Sequence, residues 1–283
     1  MKLAIEINNL HKVYEGGHIA LKGIDLSIPL GSFYGLLGPN GARKTTTIGI
    51  LTGLVNITSG SASIMGFDSV NEYRQARKLV GLSPQELNFD VFFSIEELLE
   101  LQAGYYGLPK KEAKYRTELM LKQFGLIDKR KARSRELSGG MKRRIQIAKA
   151  LIHDPPIVIL DEPTAGVDIE LRHMLWDYLK KINQEGKTIL LTTHYIEEAE
   201  KLCDKVAIID KGKVIIEGTP KDLTGKQGNS GITINISETE VDLKTHLNEF
   251  SYSHEDERIH FISNDPEGDL PKIINVLTKA GCH

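Results

Sequence analysis

A short strand-like run, Phe33 to Leu37, enters the turn Gly38-Pro39-Asn40-Gly41-Ala42-Arg43-Lys44-Thr45, and a helix-forming stretch follows from Lys44 to Leu54. A strand, a glycine-rich turn and a helix start together make an anion site. Backbone N–H groups converge on the turn and the helix N-terminus adds partial positive charge. In such a turn Lys44 can reach the β- and γ-phosphates of a nucleotide. Thr45 can bind Mg²⁺, and Thr46 follows in the same turn of helix. A plain β-turn before a helix reads the same way in isolation, so the rest of the chain has to decide.

The remaining pattern favours the phosphate reading. Near the start, Ile5, Ile7 and Leu10, and then Ile24, Leu26 and Ile28, lie close to a period of two and predict paired strands. Short strands are predicted at Ser61–Met65 and Leu79–Leu82. From Ser94 to Ile152 the pattern turns helical, with helices at Glu96–Leu101, Lys110–Phe124 and Gly140–Ile152. After Pro155-Pro156 strand and helix alternate again: Ile157–Leu160, Leu171–Gln184, Thr188–Thr192, Ile196–Leu202, Val206–Ile209, then a hairpin into Lys213–Glu217. Such alternation implies a largely parallel sheet. A linker is expected at Gly225 to Gly231. Beyond it the order reads strand, helix, strand, strand, helix, clearest at Ile232–Ile236, Val241–Phe250 and Pro271–Ala280. One strand fewer than a split βαβ sheet requires reads as a shortened C-terminus.

Composition narrows the partners. Among 283 residues Lys+Arg number 36 and Asp+Glu 38, a net charge of -2. No broad field attracts nucleic acid or anionic lipid, and no nucleic-acid partner is expected. Two cysteines, Cys203 and Cys282, suit a reducing compartment. The longest apolar runs have strand length, well short of the ~20 residues of a membrane span. Any service to a membrane therefore passes through a partner.

Two further motifs carry chemistry. Ile157-Val158-Ile159-Leu160-Asp161-Glu162 brings two carboxylates to the carboxyl edge of a sheet, where ligands of α/β folds bind. Asp161 can hold Mg²⁺ through water, and Glu162 can polarise an attacking water. Leu137-Ser138-Gly139-Gly140-Met141 opens a helix with donor-rich small residues, another phosphate site. The basic run Lys142-Arg143-Arg144 that follows reads as a solvated helix face.

Taken in order, the phosphate loop, Gln85, a helical insertion, Leu-Ser-Gly-Gly about twenty residues before the Asp161-Glu162 strand, and His194 resemble the ATPase domain of ABC transporters. The resemblance covers roughly Leu3 to Thr224. It implies a P-loop NTPase sheet of α/β class with an N-terminal antiparallel β subdomain, an inserted helical subdomain at about 86–155 and a small C-terminal α+β appendix over 232–283. It also implies roles for single residues. Tyr14 resembles the aromatic that stacks on adenine. Residues 38–46 (Gly38, Pro39, Asn40, Gly41, Ala42, Arg43, Lys44, Thr45 and Thr46) cradle the ATP phosphates, with Thr45, Gln85 and Asp161 at Mg²⁺. Glu162 resembles the catalytic base and His194 the switch histidine. Ser138, Gly139 and Gly140 would close on the ATP of a second subunit in a head-to-tail dimer. Asp168 resembles the loop that crosses that interface. The partners implied are a second ATP-binding subunit and a membrane permease, which places the chain on the cytoplasmic face. Met141 in last place, Lys44-Thr45-Thr46-Thr47 and the appendix resemble subunits of export-type permeases.

One residue departs from the pattern. Arg43 stands where the family has glycine, just before the lysine. If that position needs φ > 0, a side chain costs about 1–2 kcal/mol in strain, and a Cβ crowds the phosphate. The guanidinium attracts a triphosphate but does not relieve the backbone. Arg43 is therefore expected to weaken ATP binding or misplace the γ-phosphate while leaving the fold intact. A nucleotide-impaired or regulatory subunit, and a soluble ABC protein outside transport, are the competing readings.

Overall fold

The computed structural model describes residues 2–227, 230–235, 247, 250–255, 258–263 and 266–279. Contacts divide the chain into two units, Met1–Pro220 and Lys221–His283.

In the first unit, β1 (Leu3–Val13) and β2 (Ile19–Pro29) pair antiparallel, with Ile7 opposite Leu26. Adding β4 (Ser59–Ile64) and β5 (Phe67–Asp68) gives a four-stranded sheet in the order β2-β1-β4-β5. The alternating residues of β1 and β2 bury Ile5, Ile7, Ile24 and Ile28 on one face, as a half-buried strand requires.

The second sheet comprises β3 (Phe33–Leu37), β6 (Val80–Ser83), β7 (Ile157–Asp161), β8 (Thr188–Thr193), β9 (Lys205–Asp210) and β10 (Lys213–Gly218), ordered β10-β9-β3-β8-β7-β6. Its strands run parallel except β10, which returns antiparallel on β9. Every residue of β3, β7 and β8 is buried, which explains the apolar runs Ile157–Leu160 and Ile189–Leu191 within them. One core joins the two sheets through α1 (Lys44–Leu51), whose Ile48, Ile50 and Leu51 lie among Ile5, Ile28, Leu36, Ile159 and Ile209.

Between β6 and β7 lies the helical segment: α3 (Ile95–Tyr105), α4 (Lys110–Gln123) and α5 (Gly139–Leu151), preceded by the short α2 (Tyr73–Lys78). Ser94 and Glu97 close a reciprocal capping box on α3. After β7 come α6 (Ile169–Gln184), capped by Asp168, and α7 (Ile196–Leu202). Helix α1 ends at Leu51, three residues before the predicted end, because Thr52 and Gly53 turn the chain.

In the second unit β11 (Ser230–Asn235), β13 (Arg258–Ser263) and β12 (Ser251–Glu255) form an antiparallel sheet in that order, followed by α9 (Pro266–Lys279). Leu247, Ile259, Phe261, Ile273 and Leu277 make its core. The stretch expected as a linker differs from that reading: 225–227 belong to α8 (Pro220–Gln227), and 230–231 begin β11. The predicted helix Val241–Phe250 falls almost wholly outside the described residues, as do Ala280, Gly281, Cys282 and His283.

Candidate functional site

The sheet order places the chemistry. Strand β8 lies between β3 and β7, so three carboxyl ends converge: the turn after β3, Asp161 and Glu162 at the end of β7, and His194 after β8. Leu37 is opposite Thr193, and Asp161 is opposite Thr192.

Residues 39–46 with Gln85 and Glu162 line a cavity of about 270 Å³. Lys44, buried at the start of α1, donates to the carbonyls of Gly38 (2.6 Å) and Pro39 (3.3 Å). Its ammonium lies 3.4 Å from Glu162. Glu162 is the hub of the site. Its Oε1 is 3.3 Å from His194 Nδ1, and its Oε2 accepts from Gln85 Nε2 at 3.2 Å. Glu162 also has φ 48, a left-handed conformation uncommon for a side-chain-bearing residue. Its N–H is secured by the carbonyl and hydroxyl oxygens of Thr192. Strain held at one carboxylate by surrounding bonds is typical of a working site.

Asp161 is paired on both oxygens. Thr45 donates to Oδ2 at 3.1 Å and Thr192 donates to Oδ1 in a short hydrogen bond. Tyr14 stands half-exposed with its hydroxyl 3.5 Å from Thr46 Oγ1. Arg43 has φ 85 and ψ 23, so its position does require the left-handed conformation that glycine adopts without cost. Its guanidinium is 2.6 Å from His18 Nε2. A guanidinium only donates, so His18 is the acceptor. The side chain is drawn to the loop that follows Tyr14 rather than left free in solvent.

Ser138, Gly139 and Gly140 stand apart from this cavity. Ser138 caps α5 by accepting from Met141 N at 3.2 Å. Ser138 and Gly140 border a second cavity of about 410 Å³, shared with Asp168 and Leu171. The residues expected to serve two subunits are thus together, and separate from the phosphate loop of their own chain.

Sequence reasoning missed several participants. Thr192 lies two residues before the predicted His194, and a threonine near the end of a buried strand was the available signal. His18 carried none. Arg143, read as part of a solvated basic face, is only 4% exposed. Burial lowers its pKa, against the opposing influence of Asp161 and then Glu162. Its side chain and that of Gln146 hold the Gln85 loop.

The pattern of the family described as ABC transporter matches residues 21–165. The Nod factor export ATP-binding protein I of Cupriavidus metallidurans is 43% identical over 223 residues, covering 79% of this chain and 73% of that protein. Its namesake in Ralstonia nicotianae is 41% identical over 219 residues, 77% of this chain and 68% of that one. A solved ATP-binding subunit of an ABC transporter superposes with a TM-score of 0.73 at 30% identity, covering 79% of this chain and 92% of that one. A dimeric ATP-binding cassette in a post-hydrolysis state bound to ADP and Pi gives 0.71 at 28% identity, over 76% and 98%. With the phosphate loop, the paired carboxylates and the sheet order all in place, the chain belongs to the ABC transporter family as an ATP-binding subunit, an ATPase of P-loop fold.

Proposed function

We propose that the chain powers an export-type membrane permease by hydrolysing ATP at a head-to-tail dimer interface. The observation that carries the reading is Glu162, held against Lys44, Gln85 and His194 at the rim of the phosphate-loop cavity. Tyr14 stacks on adenine, and the 38–46 turn with Lys44 grips the phosphates. Glu162 takes the proton of the attacking water, and His194 orients that water toward the γ-phosphate. Ser138, Gly139 and Gly140 close on the nucleotide of the second copy. That Ser138 and Gly140 line a cavity other than the phosphate-loop one supports that assignment.

The donor set fits Mg²⁺. Thr45 and Asp161 present hard oxygens 3.1 Å apart. Among the described residues no group of three or more His, Cys, Asp or Glu could form a metal cage. A cation shared between one carboxylate and substrate phosphates is the usual magnesium arrangement. Thr45, Asp161 and Gln85 would hold it, and when bound it neutralises charge on the β- and γ-phosphates. The export direction rests on the relatives' names, together with Met141 and the C-terminal unit. Among the described residues no helix is long and apolar enough to cross a membrane; the separate permease partner is supported by the relatives' description as export ATP-binding proteins.

A second reading is favoured by Arg43. At φ 85 its backbone strain amounts to about 1–2 kcal/mol, and the same site must admit a phosphate beside its Cβ. The free chain already bears that strain, so it falls on stability; the crowding of the phosphate by the Cβ is what lowers ATP affinity, tenfold for about every 1.4 kcal/mol. ATP binding and hydrolysis are to be measured for the chain and for Arg43→Gly, with Glu162→Gln as the control for contaminating ATPase. Turnover restored only in Arg43→Gly makes the arginine the lesion. Equal activity in both leaves an ordinary ATPase that tolerates arginine. Activity in Arg43→Gly no higher than in Glu162→Gln overturns the catalytic assignment.

A further inference from the structure

The loop that carries Gln85 has no regular structure of its own. No helix or strand lies between Ser83, the last residue of β6, and Ile95, the first of α3. Three consecutive carbonyls, those of Pro84, Gln85 and Glu86, turn instead toward α5, the helix opened by Ser138. Two side chains of α5 meet them. Gln146 Nε2 donates to Pro84 O at 2.7 Å and to Glu86 O at 2.6 Å. Arg143 donates to Pro84 O at 3.3 Å and to Gln85 O at 3.2 Å. The two are joined to each other, Arg143 Nη1 donating to Gln146 Oε1 at 3.1 Å. They stand one turn apart on one face of α5, 4% and 5% exposed, so water does not compete for these carbonyls. From the same three-residue segment the Gln85 amide reaches Glu162.

We propose that Arg143 and Gln146 are positioning residues: they fix the backbone of 84–86 and so set the Gln85 side chain against Glu162. The inference rests on the role given to Glu162 and Gln85 above. A planar guanidinium and a planar amide, locked to each other, offer four donor contacts to carbonyls that no sheet ladder holds. Loss of one leaves buried acceptors unpaired and the loop free to move. Because both residues project from the helix that Ser138 caps, displacement of that helix end is transmitted to Gln85 through hydrogen bonds rather than through loose packing. The basic run therefore contains one residue facing inward between two that are partly exposed.

The test uses the full chain. Gln146→Glu keeps shape and keeps an acceptor facing Arg143, but removes both donors to the loop. Arg143→Lys keeps the charge and part of the donor set, whereas Arg143→Met removes both. Hydrogen exchange is followed by mass spectrometry on each nucleotide-free protein. ATPase kinetics are followed for the same substitutions in the Arg43→Gly chain. In Gln146→Glu and Arg143→Met, peptides covering 84–89 are expected to exchange roughly tenfold faster, while β7 and β8 keep their protection. The kcat is expected to fall about 10–100-fold, with the KM for ATP held within about threefold and the Mg²⁺ midpoint raised. Arg143→Lys recovers part of that loss. Unchanged exchange at 84–89 overturns the proposal, and so does a loss of protection shared by every peptide, which marks the pair as structural. Absence of turnover in Arg43→Gly itself falls on the ATPase reading, and loop exchange then decides the positioning role alone.

Discussion

A methyl group at Gly38 would lie 2.2 Å from the Ile209 carbonyl and 3.0 Å from Ala42 Cβ. The first obstacle is backbone of a central strand and cannot swing aside. Gly38→Ala is therefore expected to destabilise the first unit by about 1–3 kcal/mol and to abolish ATP binding, as thermal unfolding and nucleotide titration would show. Gly41 makes a useful contrast. Nothing lies within 4 Å of an added Cβ there, but φ is +83, so Gly41→Ala pays only the left-handed strain of about 1–2 kcal/mol. A milder fall in stability than at Gly38 is expected. Arg43 bears the same kind of strain at φ 85. The need for glycine at these positions was legible in the sequence, because a phosphate loop demands close backbone approach. The strained φ of Glu162, the His18 acceptor and the inward turn of Arg143 were not legible. Each depends on a partner remote in the chain, and no local pattern encodes it.

At the scale of elements, His153 follows α5, and its ring lies flat on Tyr106 at 3.4 Å between centroids. Burial lowers its pKa from 6.5 to about 4, opposed by a hydrogen bond at the Val80 backbone; Lys187 lowers it further and Asp154 opposes. In the unfolded chain the imidazole takes a proton near pH 6.5, whereas the folded ring waits until about pH 4. Stability is therefore full above pH 6.5 and falls as the pH drops toward 4, by about 2–3 kcal/mol at most. His153→Phe keeps the stack and removes the titration, so denaturant unfolding between pH 6.5 and 4 should become flatter. Asp154, whose pKa is lowered from 3.8, acts in the same direction but below that window. Asp168 caps α6 by accepting from Leu171 N at 2.9 Å. Asp168→Ala should cost about 1 kcal/mol, and Asp168→Ser should restore most of it. The long periodic elements were the legible ones, such as α6 and the buried β7. The short β5 and α2 were not, since two residues of strand and six of helix carry no period to read and are held by contacts already built around them.

The whole molecule is two units with separate cores, and every residue assigned to the nucleotide site lies at or before His194, inside the first. A chain ended after Gln227 keeps both sheets and the entire site. It should retain its nucleotide affinity and unfold within a few degrees of the full chain, as calorimetry and ATP titration would measure. The second unit presents the opposite case. Lys221–His283 spans about sixty residues, a length at which only about 60% of the unfolded chain's surface is buried. Its described core is five side chains, led by Phe261 and Ile259. Isolated, it is expected to be marginally stable and to lack the cooperative transition of the first unit. A sharp, high-temperature transition for that fragment alone would show that its core is larger than those five residues. The contrast follows from scale: a buried parallel sheet of the first unit can carry strained residues such as Arg43 and Glu162, because their cost is small beside its core. The described sheet of β11, β13 and β12 with α9 has no such reserve.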